Sequence, residues 1–69
     1  MITKYYIMDI ETGKYFYQYR LDEGFTGEIN DAYEFTSYDS ALNLLSEEYY
    51  REDLFKGMIL EIKKLHFII

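Results

Sequence analysis

The sequence predicts a small α+β domain in which one helix lies across an antiparallel sheet, with elements in the order β-β-(β)-α-β. Three observations carry this expectation. Residues 2–20 form two runs of β-branched and aromatic residues around a glycine turn. Residues 38–51 repeat their apolar positions at three- and four-residue steps, and residues 58–69 return to strand-like alternation. Sixty-nine residues fit one domain, spanning 1–69, and leave no room for a second.

The first strand runs from about Ile2 to Ile10 and the second from about Lys14 to Arg20, joined through Glu11-Thr12-Gly13-Lys14. Gly13 supplies the positive φ that a tight hairpin needs. Pairing about Thr12-Gly13 sets Ile10 opposite Tyr15, Met8 opposite Tyr17 and Tyr6 opposite Tyr19, all on one apolar or aromatic face. The other face carries Asp9 with Phe16, Ile7 with Gln18 and Tyr5 with Arg20, and is mixed. An antiparallel sheet with one face buried and one wet is expected to look like this.

Leu21 to Asp31 reads as a loop, with two glycines, four acids and a lone Phe25, followed by a short strand over Ala32 to Phe35. Ser37 is a natural N-cap, and Asp39 falls in the first turn, where the helix end is positive. Tyr38, Ala41, Leu42, Leu45 and Tyr49 make one apolar stripe, which places the helix over about Tyr38 to Arg51, ending near Asp53. In the last strand Met58, Leu60 and Ile62 share a phase that Leu65, Phe67 and Ile69 do not. Either a bulge at Lys63-Lys64 returns both sets to one face, or the terminal segment leaves the sheet and offers its apolar residues to a partner.

A chain this short buries only roughly 60% of the surface its unfolded form exposes. It has no cysteine, so neither a disulfide nor a thiolate metal site reinforces it, and one histidine, His66, builds no imidazole cluster. Nine Tyr and five Phe are the reinforcement that remains, and so many tyrosines exceed what a small interior hides. No stretch approaches the roughly 18 apolar residues that cross a bilayer, and the N-terminus lacks the pattern of a signal peptide. The expected location is the cytoplasm of a host cell.

Charge is distributed unevenly. Thirteen acids against seven bases give a net charge of −6. Between Leu21 and Tyr50 lie eight acids (Asp22, Glu23, Glu28, Asp31, Glu34, Asp39, Glu47, Glu48) and no Lys or Arg. Such a middle repels nucleic acid and attracts basic surfaces, so direct nucleic-acid binding is not expected. Catalytic patterns are scarce as well. No nucleophile elbow surrounds Ser37, Ser40 or Ser46, and no glycine-rich loop cradles phosphate. A calcium loop started at Asp22 puts Gly27 in the glycine place but Gly24 and Tyr33 where ligands belong. No catalytic residue, metal site or cofactor is expected.

The candidate site is therefore a surface. Asp22, Glu23, Glu28, Asp31, Glu34, Glu47 and Glu48, with Tyr33, Tyr49 and Tyr50 among them, are expected to form aromatic anchors inside a charged rim. Phe25 is a further aromatic in the same stretch.

The runs Lys4-Tyr5-Tyr6-Ile7, Thr12-Gly13-Lys14-Tyr15-Phe16, Asn30-Asp31-Ala32-Tyr33-Glu34-Phe35 and Ser37-Tyr38-Asp39-Ser40-Ala41 resemble small acidic accessory proteins encoded by phages and prophages of Gram-positive bacteria. The resemblance covers most of the chain and includes no catalytic motif. It implies an accessory role, often inhibition of a host enzyme or of an antiviral system such as CRISPR. The expected partner is a basic host protein that handles nucleic acid, and self-assembly into a homodimer through strand edges and the apolar tail is the alternative.

Overall fold

Asp9 decides how the chain first turns. The structure, a computed structural model, describes residues 1–68. Strand β1 (Ile2–Asp9) ends at Asp9, whose carboxylate accepts the Glu11 amide at 3.1 Å and the Thr12 hydroxyl at 2.9 Å. The turn wraps around this almost fully buried acid. It closes with the Gly13 amide on the Asp9 carbonyl and the Asp9 amide on the Lys14 carbonyl, both at 2.8 Å, with Gly13 at φ +72°. Strand β2 (Tyr15–Tyr19) consequently pairs Met8 with Tyr15, where the sequence pattern had set Ile10 opposite Tyr15. Satisfying a buried carboxylate lengthens the turn to four residues. A two-residue slip keeps every side chain on its expected face.

The helix packs on the mixed face, not on the tyrosine face. Ile7 and Phe16 are fully buried beneath it, with Tyr5 packed beside them. These two have no polar atom to satisfy, whereas a tyrosine hydroxyl needs water or a partner. The opposite, outer face carries Ile2, Met8, Tyr15, Tyr17 and Tyr19. At its centre Tyr6 is nonetheless closed off, edge-on to Tyr15 at 5.8 Å.

Residues 22–26, expected as loop, are strand β3 (Asp22–Thr26), paired along its whole length with β2 from Tyr19↔Asp22 to Tyr15↔Thr26. Arg20 at φ 58° makes the tight turn between them. Gly24 gives the Tyr17 ring room, since a Cβ there would sit 3.1 Å from Tyr17 Cε1. Phe25 turns inward against Phe16 and Phe55.

The strand expected over Ala32 to Phe35 is reduced to one antiparallel bridge. After a 3-10 turn at Ile29–Asp31, the Tyr33 amide bonds the Phe16 carbonyl at 2.9 Å, and Phe35 exchanges both backbone bonds with Tyr5. The other edge of β1 is occupied by the last strand, so this segment slots between β1 and β2 where they part.

Helix α1 (Tyr38–Ser46) starts as expected, with Ser37 Oγ accepting the Ser40 amide at 3.1 Å. It ends five residues early, at an extended Glu47. Ser46 Oγ bonds back to the Leu42 carbonyl at 2.9 Å, competing with the helical ladder. The chain then widens into a π turn, Tyr50–Leu54, closed by the Phe55 amide on the Tyr50 carbonyl. That wider turn stacks Phe55 on Tyr50 at 5.3 Å and aims both at Phe16.

Strand β4 (Leu60–Phe67) pairs with β1 in unbroken register from Asp9↔Leu60 to Ile2↔Phe67, completing the antiparallel sheet β3-β2-β1-β4. There is neither a bulge at Lys63-Lys64 nor a departure from the sheet before Phe67. The two apolar phases serve two faces: Leu60 and Ile62 meet the core, while Leu65 and Phe67 lie on the outer face beside Lys4 and Ile2. Ile69, the third member of that stripe, lies outside the described residues.

Truncating Phe16→Ala is expected to destabilise the fold by about 3–5 kcal/mol in urea titrations. Asp9→Ala, which leaves two turn donors unpaired, is expected to cost about 1–3 kcal/mol. An Asp9→Ala variant as stable as the parent would show that the carboxylate does not set the turn.

Candidate functional site

Because β3 is a strand, its side chains alternate, and the expected acidic surface divides in two. Glu23 points to the helix side and Asp22 to the outer side. A calcium-type loop is not formed there, and among the described residues no group of three His, Cys, Asp or Glu stands where it could hold a metal ion.

On the helix side, the Glu23 carboxylate gathers three donors. It accepts Tyr50 Oη at 2.6 Å and Gln18 Nε2 at 2.8 Å on one oxygen, and Tyr49 Oη at 3.4 Å on the other. Gln18 Nε2 also reaches Tyr50 Oη at 3.3 Å. The two tyrosine rings meet edge to face, 4.9 Å apart. Tyr50 is buried and belongs to the core, whereas Tyr49 is 57% exposed. The hydrogen bond to Glu23, then burial, then the charges of Glu23 and Glu47, push the Tyr50 phenol up to about 12. Tyr49 is raised first by the charge of Glu23, with Asp53 adding to it. Glu23, Glu47 and Asp53 thus surround this pair, and Glu47 and Glu48 are exposed.

Toward the outer face lies an open groove of about 700 Å³ between the far end of β2 and residues Asn30–Glu34. Tyr17 and Tyr19 form one wall, Tyr33 and Asp31 the other. Tyr17 donates to Asp22 at 3.2 Å; its phenol is raised by burial first and then by that bond. Tyr33 is anchored on Phe16 and Phe35, with ring centroids at 6.3 and 4.7 Å. Glu34 is held by Lys4 at 2.9 Å, and the bond raises the Lys4 ammonium. Glu28 stands exposed just ahead of the 3-10 turn.

Of the aromatics in the acidic stretch, Phe25 and Tyr50 are structural, while Tyr33 and Tyr49 present ring surface. The sequence pattern missed Tyr17, Gln18, Tyr19, Asn30 and Asp53. Gln18 was detectable only by pairing β2 with β3, because Gln18 and Glu23 are direct cross-strand partners.

The neutral phenol is the form that donates to Glu23, so the folded chain holds the Tyr50 proton more tightly than the unfolded chain. The stabilisation is therefore complete below pH 10.0 and is lost as pH rises through about 12. Tyr6, Tyr17 and Tyr49 shift in the same direction. Tyr50→Phe is expected to cost about 1–3 kcal/mol at neutral pH and to flatten, without abolishing, the alkaline fall in the urea midpoint. An unchanged alkaline slope would remove Tyr50 from this role. No known protein family matches the chain, and comparison with known proteins found neither a related sequence nor a similar solved structure.

Proposed function

We propose that this protein acts by binding rather than by catalysis, docking its acidic, tyrosine-bearing surface on a basic protein and blocking it. The observation that carries the reading is Tyr49, an exposed ring beside the carboxylates of Glu23 and Asp53. An aromatic anchor inside a charged rim suits a basic counterpart. Residues 21–50 bring no Lys or Arg to dilute that charge. A surface of this sign fits a protein whose own groove is shaped for phosphates, since spaced carboxylates can occupy the same cationic positions. The resemblance to small phage accessory proteins supports an inhibitory role toward such a host protein, including components of antiviral defence.

A second reading is self-assembly through β4. Among the described residues its outer edge has no neighbouring strand, and Leu65 and Phe67 lie beside Ile2 on the outer face. Lys63 and Lys64 sit on this edge, and lysines commonly protect edges from pairing, which favours the first reading.

Binding to a basic protein retained from a bacterial lysate is expected to weaken at least tenfold between about 50 and 500 mM salt. Reversing Glu47→Lys or Glu48→Lys is expected to weaken it about three- to tenfold, mostly through the association rate. Binding indifferent to both salt and reversal would sink the electrostatic reading. Stable oligomers at micromolar concentration that Phe67→Asp dissolves would favour self-assembly instead.

A further inference from the structure

The groove beside β2 has a feature that the Tyr49 surface lacks, an open strand edge. Along β2 the carbonyls of Lys14 and Phe16 are bonded on the side away from β3, by the Asp9 and Tyr33 amides, and in an antiparallel strand alternate residues bond to opposite neighbours. β2 parts from β1 after Phe16, and the Tyr33 amide takes the Phe16 carbonyl. By that alternation the backbone amide and carbonyl of Gln18, next in the series, turn toward the groove it lines, and they form no backbone hydrogen bond with Asn30–Glu34.

The side chains around this edge have one chemistry. Tyr17, Tyr19 and Tyr33 supply rings, and no Lys or Arg lines the groove. Tyr17 packs against Gly24 and, half-buried, also lines the groove. Glu34 is neutralised by Lys4, but Asp31 is exposed and makes no ion pair among the described residues. A guanidinium answers each of these features. It stacks on tyrosine faces and donates two parallel bonds to a carboxylate, and an extended chain carrying it can pair with a free strand edge. The protein already makes the first of these contacts with itself, since the Arg20 guanidinium carbon lies 5.3 Å from the Tyr19 ring centroid.

We propose that this groove receives an arginine side chain on an extended segment of the basic partner. Asp31 takes the guanidinium, Tyr17 and Tyr33 flank it, and the Gln18 backbone holds the segment. The inference rests on the reading of a basic protein partner, and adds the place of docking and the side chain recognised.

The test is an amide-resolved NMR titration of the full chain with an end-blocked Gly-Arg-Gly peptide, with citrulline and lysine versions run alongside. Expected are shifts at Gln18, Tyr19, Asp31 and Tyr33, with the citrulline peptide bound about tenfold more weakly. Asp31→Asn should weaken the arginine peptide by a similar factor without moving the melting temperature, since a charged hydrogen bond contributes on the order of one such factor. Glu11→Gln, the same charge change in the distant hairpin turn, should leave binding unaltered. Equal binding of arginine and citrulline peptides, or no effect of Asp31→Asn, overturns the proposal, as does a lysine peptide that binds better than the arginine one. Shifts confined to Glu23, Glu47 and Tyr49 overturn the groove but leave the acidic-surface reading standing. Absence of peptide binding together with loss of salt-sensitive retention of a basic protein overturns both.

Discussion

The fold depends on the ring of Phe16. It is completely buried, and the rings of Phe25, Tyr33, Tyr50 and Phe55 approach it at centroid distances of 5.4–6.3 Å. Three of these contacts are edge-to-face or nearly so, the arrangement that places positive ring edges against negative ring faces. The four partners come from β3, from the segment wedged into the sheet, and from the π turn and its exit. One side chain thus ties β2 to β3, to the wedged segment and to the π turn with its exit. In a protein with no disulfide and little interior, such a node does the work that a larger aliphatic core does elsewhere.

The same node links fold to surface. Tyr50 reaches Phe16 with its ring and Glu23 with its hydroxyl, so the strand carrying the acids is registered against the end of the helix by one residue. Tyr33 does the equivalent on the other side, where its ring is fixed on Phe16 while its neighbour Asp31 faces the groove. Both candidate surfaces are therefore mounted on the aromatic core directly, without long loops to position them.

Much of this was legible from residue pattern. The first hairpin, the Ser37 cap and the strand character of the C-terminal segment follow from local rules; of the expected helix stripe only Ala41 and Leu45 meet the core, with Leu44 beside them, while Tyr38, Leu42 and Tyr49 stand exposed. What local pattern could not supply came from distant partners. Asp22-Glu23-Gly24-Phe25-Thr26 has poor strand propensity, and it is a strand because Tyr17 covers Gly24, Phe16 receives Phe25, and Gln18 and Tyr50 satisfy Glu23. The hairpin register moved because Asp9 needed partners within its own turn. The buried face was misjudged because apolar content was counted without regard to tyrosine hydroxyls. The phase change at Lys63-Lys64 was a true signal of two faces in use, with no irregularity of the backbone behind it. Charge in sequence located the acids, but strand alternation separated Asp22 from Glu23, and the candidate surface became two.

The central position of β1 bears on how the chain is made. One edge of this strand is completed by residues 60–67, and the other is completed at Tyr5 by Phe35, thirty positions away. During synthesis β1 emerges before β2, β3 and β4, yet it must wait for β4 before its backbone groups are paired. Until then an apolar, tyrosine-rich ribbon stands exposed, closed only near Met8 and Tyr15. Folding is thereby deferred until translation of residue 67 and leans on contacts of long sequence separation, a slow class of topology. For so short a chain the interval lasts only seconds at ordinary elongation rates of about 5–20 residues per second.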